Sequence, residues 1–327
     1  MTSCSDTPRT AFGTRFCVAS DRCHGANTSS PALKDPEVSI IITTQGRRET
    51  LGEALLSALG QVSCAIEVVL VDDSVGSPGW MDSFGLKLLL ADPRVRIIPF
   101  HVSRGCAAAK NAGLRAARGD WICYLDDDNK YHPEKVRAQL NLARSTRSPV
   151  VLCGLEILAS GRRLRRQVRE EIFEGDAVLL DAIADTNVIF HRRDERLSWD
   201  EDLRTVDDAC FLQALVEHHD LLKVPNLARP LVTYRSHGGQ RANRNAADVW
   251  RGLRRLVFRW ARRYSPKARR TLLLRALIVR SRMGAGGWGS WRGYVLALFR
   301  EGGGREFRFI ANAITVRVPI LNRWVVT

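Results

Sequence analysis

No uninterrupted apolar stretch in this 327-residue chain reaches the roughly 18–20 residues needed to span a bilayer. The segment from Met1 to Pro36 is rich in Ser, Thr and small side chains. It lacks the apolar centre of a secretory signal and reads as a flexible leader. None of the eight cysteines forms a Cys-x-x-Cys pair, and Cys123, Cys153 and Cys210 fall inside apolar periodic segments. Buried thiols of a cytoplasmic protein are expected from that pattern, and a zinc site is not. No internal repeat is present. Acidic charge is scarce at one end: from Gln240 onward the chain holds 20 of its 50 Lys and Arg but 3 of its 35 Asp and Glu, a net +17 against −2 for the rest.

The remaining sequence is patterned as a globular α/β chain, with 45% apolar residues and a length that suits one large domain or two smaller ones. Val38 to Thr43 and Ile66 to Val71 are continuous apolar runs of the kind buried on both faces of a parallel sheet. A helical pattern over Glu49 to Leu59 separates them. Val95 to Pro99 is a third short strand, Gly105 to Ala117 a small-residue helix, and Trp121 to Leu125 a fourth strand. Such alternation signals a parallel sheet with helices on both faces, whose ligands bind beyond the carboxyl ends of the strands. Beyond Pro149 a hairpin is expected from Val150–Leu158 and Arg162–Arg169, then a strand at Thr186–His191, a helix at Asp208–His218 and a strand at Leu231–Tyr234.

Two strands end in acidic runs, Asp72-Asp73 and Asp126-Asp127-Asp128, which places both on one crevice. Adjacent carboxylates repel and raise one another's pKa, so the triplet invites a divalent cation. It also reads as a solvated acidic turn, with Asp128 or Asn129 near the N-cap of a helix that carries Pro133 in its first turn.

In order, VSIIIT, VVLVDDS, the helix containing Ala109-Lys110-Asn111-Ala112-Gly113, GDWICYLDDDN, Trp199-Asp200-Glu201 with Val206-Asp207-Asp208, and Tyr234-Arg235-Ser236-His237 resemble the GT-A catalytic core of the inverting family 2 glycosyltransferases over about residues 38 to 240. The resemblance implies an α/β GT-A fold with a mainly parallel central sheet, and a hexosyl- or N-acetylhexosaminyl-transferase activity. The donor would be a nucleotide sugar, UDP-linked, and the acceptor a glycan or lipid-linked glycan of the cell envelope. It implies donor-binding roles for Thr43, Asp73, Asp126 and Asp127. Mg²⁺ or Mn²⁺ would be held by Asp128 with Asp126, and His237 is a further candidate ligand. Asp208 would be the catalytic base, with Asp207 one position away, and Arg235 and Arg241 are candidates to close over the diphosphate. If extended geometry persists past the strand, Asp126 and Asp128 share a face and Asp127 points the other way.

Three segments are therefore expected: a leader (1–36), a catalytic domain (37–240) and a basic helical extension (241–327). In the extension, Val249, Leu253, Leu256, Val257, Trp260 and Tyr264 fall on one helical face and arginines mostly on the other. A second helix is expected from Pro266, and Trp291, Tyr294, Leu298 and Phe299 follow a Gly-rich break. Such a segment suits the cytosolic face of an anionic membrane or packs on the catalytic domain. Nucleic acid is the weaker explanation of the charge, because no recognised nucleic-acid module accompanies it. A sugar nucleotidyltransferase of related fold would carry a Gly-rich triphosphate loop after the first strand, where Thr44 to Arg48 holds one Gly. A non-catalytic scaffold binding lipid or polyanion is the remaining alternative.

Overall fold

The computed structural model describes residues 35–74, 84–159, 162–167, 171–182, 184–236, 246–260 and 263–282. His237, Arg241 and the aromatics from Trp291 onward lie outside them. In chain order the elements are β1 (Val38–Thr44), α1 (Arg48–Leu59), β2 (Ile66–Asp72), α2 (Phe84–Leu90), β3 (Val95–Pro99), α3 (Cys106–Ala116), β4 (Trp121–Asp126), β5 (Lys130–Tyr131), α4 (Lys135–Thr146), β6 (Val150–Ala159), β7 (Arg162–Gln167), β8 (Ile172–Glu174) and α5 (Asp176–Leu180). A 3-10 turn (Thr186–Val188) leads to β9 (Phe190–Arg192), α6 (Asp207–His218) and β10 (Lys223–Ser236). The chain then forms α7 (Ala246–Arg255), a π-helical turn (Leu256–Trp260) and α8 (Pro266–Arg282).

The sheet runs β3-β2-β1-β4-β9-β6-β10-β5, with β7 on β6 and β8 on β10. Its first four strands are parallel, and β9 joins them antiparallel to both β4 and β6. The result is a mixed central sheet flanked by helices, in agreement with the GT-A-like architecture expected. Every residue of β2, and all of β1 except Thr43, is buried, which is why both read as unbroken apolar runs. Register then aligns the functional ends: Thr44 pairs with Asp72, and Thr43 with Asp126. Three strand termini thus meet along one edge of the sheet.

Two local expectations are corrected. Thr186–His191 is not one strand, because the Asp185 side chain accepts the Asn187 N–H and closes a 3-10 turn ahead of β9. The acidic triplet does not cap a helix either. β5 intervenes, α4 begins at Lys135, and the Asn129 side chain instead accepts the Arg235 N–H at 2.9 Å.

The apolar stripe of the extension is consumed inside the molecule. Leu256 and Trp260 pack with Leu203 and Cys210, while Val257 packs with Leu272, Leu273 and Ala276. The Trp260 Nε1–H donates to Glu217 at 2.9 Å. Insertion of that stripe into a membrane interface is therefore excluded for the described part of the extension. Its outer face carries arginines and the exposed Phe258. Among the described residues no helix is long and apolar enough to cross a membrane.

One close approach fixes α7 against the crevice. A Cβ on Gly252 would lie 2.6 Å from the Val206 Cβ and 2.7 Å from the Thr205 carbonyl oxygen. Val206 itself sits in the left-handed region (φ 62°), a costly conformation for a β-branched residue, immediately before Asp207. Gly252→Ala in an ordinary helix interior would gain up to about 1 kcal/mol from helix propensity. Here overpacking, typically about 1–3 kcal/mol, opposes that gain. The variant is expected to melt below the wild type in a thermal unfolding experiment, and a higher midpoint would show that α7 does not press on Val206.

Candidate active site

At the carboxyl end of β4 the chain turns sharply, the Asn129 N–H donating to the Asp126 carbonyl at 3.1 Å. Extended geometry therefore stops at Asp126: Asp127 and Asp128 both meet Arg47, while Asp126 meets Asn187. Asp127 is buried and accepts from the Thr44 hydroxyl (2.7 Å) and from Arg47 Nη1 (2.7 Å). Asp128 is less enclosed and lies 3.3 Å from the same guanidinium. Gly46, at φ 83°, lets the β1–α1 loop turn so that Arg47 reaches both. Burial, then the like charges of Asp126 and Asp127, push Asp128 up to about 6, with Arg47 only partly offsetting them. Burial likewise raises Asp127.

Asp126 is gripped by one side chain. The Asn187 carboxamide accepts from the Asp126 N–H at 2.8 Å and donates to its carboxylate at 2.9 Å. Fully buried Asn187 also donates, through its backbone and its side chain, to Asp185. Asp185 rises to about 6, first through burial and then through the charge on Asp126.

Next to this clamp, Lys110 of α3 reaches the Thr186 hydroxyl (2.9 Å) and Asp207 at the start of α6 (3.1 Å), with its ammonium 3.9 Å from the Trp199 ring centre. Asn111 secures the neighbouring Trp199-Asp200-Glu201 segment: it accepts the Trp199 N–H at 2.7 Å and donates to the Trp199 carbonyl and to Glu201. Asp208, half-buried, accepts the adjacent Ala209 N–H. Burial and then the charges of Asp207 and Asp185 hold its carboxyl well above the usual range, against the pull of Lys110. A continuous chain of contacts thus runs from Asp126 through Asn187 and Thr186 to Lys110 and Asp207.

The β2 end behaves differently. Asp72 accepts from the Ser74 N–H and hydroxyl, while Asp73 accepts from the Ser103 hydroxyl and from the Arg104 and Gly105 N–H groups at 2.7–3.0 Å. Asp73 therefore anchors the loop entering α3. Thr43 faces Cys106, 3.6 Å between Oγ1 and Sγ. Arg235 is paired with Glu53, which also holds Lys130, and its backbone N–H bonds the Asn129 side chain next to Asp128. His237 lies outside the described residues. Arg47, Asp185 and Asn187 carried no role in the sequence reading, and Lys110 entered it within the Ala109–Gly113 segment without a role of its own, because its partners Thr186 and Asp207 lie 76 and 97 positions away.

Behind the site, buried Tyr124 stacks on His191 and meets Trp199 and Phe211 edge to face. The His191 Nδ1–H donates to the Arg192 carbonyl (2.8 Å), which leaves Nε2 to accept from the Tyr124 hydroxyl (3.1 Å). Burial lowers His191 from 6.5 to about 4. Its neutral form is therefore favoured in the fold, a contribution present above pH 6.5 and lost as pH falls toward 4. Between pH 7 and pH 5 the urea-unfolding advantage of the wild type over His191→Gln is expected to shrink by about 2 kcal/mol. An unchanged difference would mean that the imidazole titrates normally.

A groove of about 450 Å³ lined by Arg196, Leu197, Cys210, Phe211 and Trp260 includes none of the carboxylates 126–128, 207 or 208. The acidic crevice at the strand ends is therefore a separate place.

Comparison with known proteins points the same way. The sequence profile of Glycosyl transferase family 2 matches residues 39–215. The chain is 32% identical over 200 residues to the succinoglycan biosynthesis protein ExoO of Rhizobium meliloti, covering 56% of each. It is also 32% identical over 104 residues to the Escherichia coli UDP-Glc:alpha-D-GlcNAc-diphosphoundecaprenol beta-1,3-glucosyltransferase WfaP, covering 32% of this chain and 40% of that one. The chain thus spans about half the length of these relatives. In fold it is similar to S. aureus TarS 1-349, solved in complex with UDP, with a TM-score of 0.52 at 16% identity over 75% of this chain and 70% of that one.

Proposed function

Because the chain belongs to glycosyl transferase family 2, we propose that it transfers a sugar with inversion from a UDP-linked donor to a hydroxyl of a glycan or lipid-linked glycan of the cell envelope. The observation that carries this reading is the contact chain that joins the strand-end carboxylate Asp126 to the acidic pair opening α6. That chain supports a donor-side acidic group at Asp126 and an acceptor-side base next to Asp207 working in one crevice. The UDP-glucose-dependent activity of the WfaP relative and the UDP complex of TarS support the choice of nucleotide.

In this reading Asp208 accepts the proton of the acceptor hydroxyl as its oxygen attacks the anomeric carbon. The nucleoside diphosphate departs from the opposite face, which inverts the configuration. An ionised Asp208 is required, and its elevated pKa makes it a stronger base once ionised. Thr43, Asp73 and Asp127 line the donor side. Asp73 acts there through the loop 103–105 that it holds, and Asp127 through Arg47 and Thr44.

The residues present fit a divalent cation. Asp126 and Asp128 are oxygen donors in a cluster whose mutual repulsion lifts Asp128, and a 2+ charge relieves it. Among the described residues no three His, Cys, Asp or Glu groups converge on a metal position. An ion such as Mg²⁺ or Mn²⁺ takes one or two carboxylates and completes its shell with water and substrate phosphate. When bound there it would neutralise charge on the departing diphosphate.

The Arg-bearing outer face of α7 supports a peripheral location on the cytosolic face of an anionic membrane, with contact by charge and not by insertion. Incubating the purified protein with radiolabelled UDP-sugars, Mn²⁺ and envelope lipid extract tests the proposal. A labelled lipid-linked glycan is the expected product, and donor left intact with every nucleotide sugar would overturn it.

A further inference from the structure

Two adjacent carboxylates open α6, and the proposed reaction needs one of them. Their surroundings differ. Asp207 meets the ammonium of Lys110 at 3.1 Å. Among the described residues Asp208 forms no ion pair, and its carboxylate accepts the Ala209 N–H. Lys110 is 3% exposed, although burying an ammonium is costly unless carboxylates surround it. Burial opposes its charge, and the carboxylates, Asp207 first and then Asp126 and Asp208, outweigh that and keep it protonated. Its remaining contacts, the Thr186 hydroxyl and the Trp199 face, hold the ammonium between α3, the 3-10 turn and α6.

We propose that Lys110 is a positioning residue for the transfer reaction: it ties Asp207 down as a structural carboxylate and supplies the counter-charge beside which Asp208 acts as the base. The inference rests on the glycosyl-transfer reading. The charged and titratable groups around Asp208 have opposing effects. Lys110 comes from α3, Asp185 from the segment before the 3-10 turn, and Asp207 and Cys210 from α6 itself, while Asp126 at the end of β4 and the Cys106 thiol of α3 act on Lys110. Lys110 is the cation in this set and Asp207 its nearest anion. Removing the first disfavours ionised Asp208, and removing the second favours it.

The test is the pH profile of kcat/KM for three variants. In Lys110→Met the acidic limb moves up by a pH unit or more, activity at pH 7 falls at least tenfold, and it recovers toward wild type as pH rises. Lys110→Arg keeps the charge and leaves the limb near its wild-type position. Asp207→Asn stays active with its limb moved down. The opposite signs separate electrostatic positioning from simple misfolding. A Lys110→Met loss equal at every pH overturns the proposal, as does an Asp207→Asn that is inactive throughout. A second readout does not depend on turnover: carboxyl ¹³C NMR of Asp-labelled protein, with the Asp208 resonance assigned by its disappearance in Asp208→Asn. An upward shift of that titration in Lys110→Met sustains the role of Lys110 even if no nucleotide sugar is consumed, an outcome that would overturn the glycosyl-transfer reading alone. An unmoved titration overturns the inference.

Discussion

Asp208→Asn is expected to reduce sugar transfer by about 10²–10⁴-fold, the range associated with loss of a general base, while leaving UDP affinity within a factor of about three of wild type. The amide is nearly isosteric, but it cannot take the acceptor's proton. Donor binding survives because Asp126, Asp127 and Asp128 sit at the end of β4 and Asp208 sits in the first turn of α6. Folding survives too, since the charge removed is one that burial and the neighbouring Asp207 and Asp185 disfavour. A thermal midpoint equal to or above wild type, together with lost turnover, identifies the base. Retained turnover would assign that role elsewhere, and Asp207→Asn then distinguishes its neighbour.

Asp128→Asn is expected to abolish transfer and yet stabilise the protein in the presence of EDTA. The folded-state carboxyl titrates at about 6, raised from 3.8 by burial and by repulsion from Asp126 and Asp127. A group whose folded pKa is raised loses stability as pH rises from its unfolded value through its folded one. At pH 7 the penalty is therefore fully in force, of order 3 kcal/mol before solvent screening. Asn removes it, at the small cost of the 3.3 Å contact with the largely exposed Arg47. An increase of a few degrees in the unfolding midpoint, with loss of any Mn²⁺-induced stabilisation, is the expected pair of results. Such a trade of stability for function is common where charges are gathered to hold a ligand. A variant no more stable than wild type that still responds to Mn²⁺ would remove Asp128 from the ion site.

The parallel core was legible in the sequence because burial on both faces leaves no alternation to misread: β1, β2, β3 and β4 fall within one residue of the runs expected for them. The first half of β10 was not legible. Pro225 and Pro230 interrupt it, and its register with β6 slips around Pro230, as proline in a ladder requires. The acidic triplet was correctly placed at a strand end, but strand alternation could not describe it. The turn at Asp126 breaks the period, and Thr44, 83 positions away, takes Asp127.

The links that organise the crevice are long-range for the same reason. Nothing local in the helix around Lys110 announces Asp207, 97 positions later, and Asn187 grips Asp126 across 61. The amphipathic extension posed the converse problem. Its apolar stripe showed that a partner exists, without saying that the partner is α6 and α8 of the same chain.

Calorimetric titration of the wild-type protein with UDP, with and without Mn²⁺, tests the central claim most directly, because the nucleotide crevice and the carboxylate cluster must act together to give a signal. The account predicts saturable binding of UDP that requires the ion. Absence of binding by UDP, dTDP and GDP under both conditions would contradict it.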